Sequence, residues 1–270
     1  MSTCKKALMG VVAALCVVCA FASEGLLRDV KYAESESCKL DLKWPQGQTN
    51  FPTVVWLHGG GLTGGEKHFI GISESIAQVA VNYRLLEAGK ITDGAVCIRD
   101  AAAAVAWTLD HIAEYGGDPK KVYVSGMSAG GYLTMMVGMA PQYLKAYGHD
   151  ISELAGLAPI SGQATKHFNV RKFAGDNDPQ FLPKIDELAP LHWCSKDIAP
   201  IVSICGQEPW ERKCRSEENR LLIASCVALG HEKAWFVSCP YADHGRAFSA
   251  GVPYVEMLVQ GRLPPPLKER

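Results

Sequence analysis

From residue 26 onward, short apolar runs alternate with longer stretches of helical spacing. The runs at 52–57 (PTVVWL), 76–83, 121–126 (KVYVSG), 154–160, 201–205 (IVSIC) and 234–239 (AWFVSC) are strand-length and rich in β-branched residues. Such runs, bounded by Gly, Pro and Asp, predict strands buried on both faces. Ahead of them, 27–32 and 38–44 predict an opening hairpin. Between them lie helical patterns. The longest, 93–115, places Val96, Ala103, Trp107 and Ile112 on one apolar face, and Gly116-Gly117-Asp118-Pro119 stops it. A second helix is expected at 129–139, closed by Pro141. A third spans 216–229 with Gly230 as its cap, and a closing helix contains 251–259. Strands separated by helices predict an α/β fold, a mainly parallel sheet with helices on both faces. Residues 161–190 carry Gly, Asp and Pro without clear period, and are expected to form a lid or substrate wall.

Length changes the picture little: 270 residues make one large domain with a substantial core. The first 22 residues read as a signal peptide. Lys5 and Lys6 precede an apolar run, and Ala20-Phe21-Ala22 forms an A-x-A cleavage site, so the mature chain is expected to begin at Ser23 and occupy 23–270. That implies a secreted or periplasmic protein without stable membrane association after cleavage. Removing the leader leaves 25 basic against 28 acidic residues, about −3 in net charge. No basic surface for nucleic acid is implied. Seven cysteines remain, an odd number. Cys97, Cys205, Cys226 and Cys239 fall in apolar patterns and read as buried small hydrophobes, which leaves Cys194 and Cys214 as the better disulfide candidates. No Cys/His cluster has zinc spacing, so no metal site and no cofactor are expected.

The chemistry concentrates in a few loops. Gly126-Met127-Ser128-Ala129-Gly130 fits G-x-S-x-G and sits between a predicted strand and a predicted helix, which makes Ser128 the candidate nucleophile. So tight a turn leaves no room for side chains two residues either side of the serine. His58-Gly59-Gly60-Gly61 follows PTVVWL, and its glycines let backbone N–H groups approach a substrate oxygen. Gly60, Gly61 and Ala129 are the candidate oxyanion donors. His58 reads as a structural histidine of that loop. Of five histidines after Ser128, only His244 lies just past the last strand and before the closing helix, at the carboxyl edge where catalytic groups gather. It is the expected base. The acid is expected after IVSIC, in Gly206-Gln207-Glu208-Pro209-Trp210-Glu211. Glu211 is favoured, Glu208 is the alternative, and Asp243 is a rival disfavoured by its adjacency to His244.

Together, HGGG (58–61), GGDP (116–119), GMSAGG (126–131) and DHG (243–245) resemble the esterase/lipase branch of the α/β-hydrolases. That branch includes hormone-sensitive-lipase-like and feruloyl- or acetylxylan-esterase-like carboxylesterases. The resemblance implies an eight-stranded sheet, a ping-pong acyl-enzyme mechanism without cofactor, and roles for Ser128, His244, Gly60, Gly61 and Ala129 as above. The G-x-x-x-x-E spacing in a subset of members supports Glu211. Little or no N-terminal cap is expected, because only about thirty residues separate the leader from PTVVWL. The implied substrate is a small-molecule or carbohydrate ester. A serine peptidase or amidase of the same fold and a non-catalytic binding member are the alternatives. The sequence does not define the oligomeric state.

Overall fold

The computed structural model describes residues 24–265, so the leader assigned to 1–22 lies outside the described residues. Eight strands form one sheet in the order β1-β2-β4-β3-β5-β6-β7-β8. The opening hairpin is β1 (Glu24–Lys31) and β2 (Lys39–Pro45), antiparallel to each other and to β4. From β3 (Phe51–Leu57) and β4 (Ala77–Val81) onward, every pairing is parallel. These are β5 (Gly117–Met127), β6 (Gly156–Ile160), β7 (Ile201–Gly206) and β8 (Ala234–Cys239).

The uninterrupted apolar runs have their reason in this arrangement. Side chains alternate faces along a strand, and both faces are covered. Val55 and Leu57 of β3 join one core with the helices α1 (Ala95–His111), α2 (Ala129–Met139) and α5 (Arg215–Ala228). Val54 and Trp56 join the other, against α6 (Arg246–Val259). Among the described residues the second face has this one long helix, because the β3–β4 crossover, 58–76, forms no helix. Its Ile70 and Ile76 fill that side instead. Two shorter helices, α3 (Pro141–Lys145) and α4 (Phe168–Phe173), lie in the connections.

Most element ends differ from the sequence reading by one to three residues, and two differences around residues 111–121 are larger. The long helix is α-helical only to His111 and tightens into a 3₁₀ turn, Ile112–Tyr115, which Gly116 closes at φ 94°. The helical segment stops at Gly116 as expected, but β5 begins directly after it at Gly117, four residues before the expected strand start at 121, because Gly117 pairs with Phe51 ahead of a register shift. Asp100 is buried in α1, where it accepts from the Arg84 backbone N–H and from its Nε and Nη2 at 2.6–3.0 Å. It ties the helix to the exit of β4, a structural role. All seven cysteines of the described chain are free thiols. Cys214 is exposed, while Cys194 packs on α5 with its Sγ 3.7 Å from the Leu222 carbonyl, one turn from Cys226.

Register decides where chemistry can gather. Leu57 is level with Val81 and with Gly126, Met127 with Ile160, Ile160 with Ile204, and Gly206 with Cys239. The carboxyl ends of six adjacent strands therefore make one ledge. The segments that follow β5, β6, β7 and β8 leave it side by side.

Candidate active site

Ser128 stands at the turn from β5 into α2 with φ 55° and ψ −110°, outside the regions a serine ordinarily occupies. Such a conformation costs on the order of 1–3 kcal/mol and persists only where the surroundings impose it. Here its N–H donates to the Ile160 carbonyl at 2.8 Å, and its carbonyl accepts from Tyr132 N–H at 3.0 Å. The flanking glycines are a packing requirement. A Cβ on Gly130 would stand 1.9 Å from the Leu57 carbonyl oxygen, and one on Gly126 would stand 2.6 Å from both that oxygen and the Gly130 carbonyl. The elbow is pressed against the end of β3, which projects the serine side chain off the ledge.

His244 follows β8 and faces two partners. Its Nε2 lies 2.9 Å from Ser128 Oγ, and its Nδ1 lies 2.6 Å from Glu211 Oε1. These partners fix the tautomer: Nδ1 carries the proton and donates to the carboxylate, while Nε2 accepts from the serine hydroxyl. The Glu211 side chain is fully buried. Its Oε1 also accepts from Arg212 N–H at 2.8 Å, and its Oε2 accepts from Gly206 N–H at 2.9 Å and Ser161 Oγ–H at 2.6 Å. Burial by itself would raise the carboxyl pKa. The hydrogen bonds from His244, Ser161 and Arg212 outweigh it and hold Glu211 down at about 2.

Glu208 is exposed on the same loop. The loop folds so that Trp210 and Glu211 N–H both donate to the Gln207 carbonyl, which brings Glu211, and not Glu208, under the imidazole. Gln207 also joins the acid and base loops: its N–H donates to the Ala242 carbonyl and its Oε1 accepts from Tyr241 N–H. Asp243 makes no hydrogen bond to the ring, whose partners are Glu211 and Ser128. Its carboxylate accepts from Arg246 N–H at 2.8 Å and its carbonyl from Ala247 N–H, so it caps α6. His231 sits at the far end against Ala199, and His149 pairs with Asp110 and Glu153 on the surface. His192 lies in the 3₁₀ turn Pro190–Trp193. His167 is buried and accepts from Asn169 N–H at the start of α4.

The glycine loop lies alongside the elbow, so near that a Cβ on Gly59 would come within 3.6 Å of Ser128 Cβ. Gly60 has φ 108°, which only glycine adopts without strain, and a Cβ there would overlap the Gly64 carbonyl oxygen at 2.0 Å. The N–H groups of Gly60 and Gly61 donate to no acceptor among the described residues, so both remain available to a substrate oxygen. His58 organises this loop: it stacks on Tyr83 at 4.4 Å between ring centroids, and Tyr83 Oη donates to its carbonyl at 2.8 Å.

Two supporting residues carry no sequence signal as such. Ser161, just past β6 at φ 45°, supplies a donor to Glu211. Asn169 on α4 donates its Nδ2–H to the Gly61 carbonyl at 2.6 Å and so holds the Gly61–Leu62 peptide at the end of the glycine loop. The only hint in the sequence was the placement of 161–190 beside the site.

A buried carboxylate, an imidazole, a serine hydroxyl and a glycine loop with free N–H groups can together generate an alkoxide nucleophile beside an oxyanion site. On this sheet order and elbow, the fold is that of the α/β-hydrolases. The family model described as BD-FAE matches residues 40–179, just over half of the chain, and the chain belongs to the BD-FAE family. Carboxylesterase 1F of Mus musculus is 38% identical over 196 residues, covering 68% of this chain and 32% of that protein. The chain spans about a third of the length of the curated relatives it matches. Among solved structures, a truncated carbohydrate esterase from gut microbiota superposes with a TM-score of 0.69 at 17% identity, covering 88% of this chain and 96% of that one. A thermophilic esterase from Thermogutta terrifontis gives 0.65 at 20% identity, covering 87% and 93%. At these identities the likeness establishes the fold.

Proposed function

We propose that the protein is a serine hydrolase that cleaves carboxylic esters of small molecules or carbohydrates through an acyl-enzyme. The observation that carries this reading is the unbroken relay from Glu211 through His244 to Ser128, at 2.6 and 2.9 Å. Ser128 Oγ attacks the ester carbonyl as His244 Nε2 takes its proton. The carbonyl oxygen gains negative charge and rests on the N–H groups of Gly60, Gly61 and Ala129. Glu211 stabilises the imidazolium and holds its orientation. Collapse of the tetrahedral intermediate expels the alcohol, protonated by His244, and leaves the acyl group on Ser128. Water then attacks by the same route in reverse. The named carboxylesterase and esterase relatives support the choice of ester over amide. The exposed Trp210 and Tyr241, with ring centroids 5.8 Å apart near the acid and base loops, suit an open site with an aromatic rim.

The purified mature chain, assayed with p-nitrophenyl acetate, p-nitrophenyl butyrate and acetylated xylo-oligosaccharides, is expected to turn over at least the short aryl esters. It should leave the corresponding p-nitroanilides essentially untouched. Preferential anilide cleavage would replace the ester reading with an amidase one. We also propose export, on the basic, apolar and A-x-A pattern of residues 1–22. N-terminal sequencing of protein recovered outside the cytoplasm should then begin at Ser23, and a chain retained inside with its first 22 residues intact contradicts it.

A further inference from the structure

A cavity of about 340 Å³ lies between residues 163–191 and the start of α5. It adjoins the residues that hold the relay in place, while Ser128, His244 and Glu211 themselves are not part of its lining. Arg212 lines it and donates its N–H to Glu211. Gln163 lines it two residues after Ser161, which holds the other carboxylate oxygen. Phe168 lines it one residue before Asn169, which holds the Gly61 carbonyl. The cavity therefore borders both the acid loop and the segment that braces the glycine loop. Most of its surface is apolar, from Phe168, Phe181 and Ile185, and the last two are also exposed to solvent.

Its innermost charged group is Arg215, the first residue of α5 and only 5% exposed. Nε and Nη1 of this guanidinium are buried without a hydrogen-bond partner. The nearest carboxylate is Glu218, whose Oε1 lies 3.4 Å from Nε, in ion-pair range but outside hydrogen-bond geometry. The other Glu218 oxygen is occupied by the backbone N–H and hydroxyl of Thr165, at 3.2 and 2.7 Å. Leaving donors of a charged group buried and unmet is costly. Nη2 is the nitrogen of this guanidinium that is not sealed off, and a carboxylate entering from the cavity meets it there in a charge-assisted hydrogen bond that also offsets the buried positive charge. The remaining charges of the cavity are Arg212 and Lys213 against Glu217. With the Arg215–Glu218 pair the balance is one positive charge. His167, buried nearby, is held neutral by burial and by the positive charges of Arg215 and Arg212.

We propose that this cavity is a substrate subsite for a carboxylate carried on an apolar or aromatic segment, with Arg215 as the residue that binds it. Resting on the ester-hydrolase reading, this defines the substrate class as esters in which one half ends in a carboxylate. The apolar segment packs on Phe168, Phe181 and Ile185, and the acid reaches the guanidinium.

The test is calorimetric and independent of turnover. The wild-type mature chain is titrated with 4-phenylbutyrate and with 4-phenylbutanol, which keeps the apolar segment and lacks the charge. The carboxylate is expected to bind about 10- to 100-fold more tightly than the alcohol, the size of a charge-assisted pair. Arg215→Gln is expected to remove that difference. Arg215→Lys, which keeps the charge and much of the volume, should retain part of it and guards against a Gln variant that fails to fold. Equal affinity of the wild type for the two compounds, no binding of the carboxylate, or a preference that survives in Arg215→Gln overturns the proposal. A protein inert toward every p-nitrophenyl ester that still prefers 4-phenylbutyrate refutes the esterase reading and leaves the anion site standing. An active esterase without the preference does the reverse.

Discussion

Replacing Ser128 by alanine is expected to lower kcat/KM for p-nitrophenyl butyrate by about 10⁵- to 10⁶-fold, because the substitution removes the nucleophile and with it the acyl-enzyme route. The fold should tolerate the loss. Ser128 Oγ makes one hydrogen bond, to His244 Nε2, whereas the backbone that imposes the elbow is anchored by Ser128 N–H and carbonyl contacts that alanine retains. The residual rate should still exceed the uncatalysed reaction, since the glycine loop keeps its two unpaired N–H groups. Steady-state kinetics on matched preparations, with circular dichroism to verify folding, checks this. Activity within tenfold of wild type would mean that another group attacks the ester.

The second large effect belongs to Glu211. Substitution to glutamine is expected to reduce kcat by about 10⁴-fold, the scale seen when a triad acid becomes an amide and the imidazole loses its required tautomer. The environment makes this more than a change of charge. Four donors converge on the carboxylate: His244 Nδ1–H, Arg212 N–H, Gly206 N–H and Ser161 Oγ–H. A glutamine NH₂ must face two of them, and backbone N–H groups cannot turn round to accept. Glu208→Gln, on the exposed part of the same loop, should alter kcat less than threefold.

The same residue sets part of the acid sensitivity. Glu211 titrates at about 2 in the folded chain against an ordinary 4.5. A depressed carboxylate stabilises the fold fully above pH 4.5, and that contribution drains away as pH falls toward 2. Its size is on the order of 3 kcal/mol. Glu211→Gln is accordingly less stable than wild type at neutral pH, and its unfolding free energy should fall less steeply between pH 5 and pH 2. Urea unfolding at a series of pH values reads both effects. Parallel curves for the two proteins would show that Glu211 is not the titrating group.

The parts of this architecture legible in the sequence are those encoded locally. PTVVWL, KVYVSG and IVSIC are buried strands because their apolar runs have strand length and Gly or Pro boundaries. Ser128 could be singled out because its strand, turn and helix are contiguous. His244 followed from its position after the last strand. The acid was the harder assignment, since both glutamates share one loop. Only the fold of that loop, with two N–H groups on the Gln207 carbonyl, separates Glu211 from Glu208. Contacts between distant segments are not legible residue by residue, beyond the placement of 161–190 beside the site. Asn169 reaches Gly61 across 108 positions, and Ser161 reaches Glu211 across 50. Neither residue belongs to a local motif, and α4 is too short for its periodicity to stand out. Gly117-Asp118-Pro119 carries two signals, of which the sequence shows one. These turn-forming residues mark the end of the helix, which the structure bears out, while pairing with β3 also makes them the start of the strand.

The proposed reaction centre is tested most directly by covalent capture. Incubation of the wild-type chain with a fluorophosphonate, followed by intact-mass measurement and peptide mapping, should show one adduct per chain, located on Ser128. Labelling should fall sharply in His244→Ala, where no base remains to remove the serine proton. An unmodified wild-type protein, or an adduct on any residue other than Ser128, contradicts the assignment of Ser128 as the nucleophile.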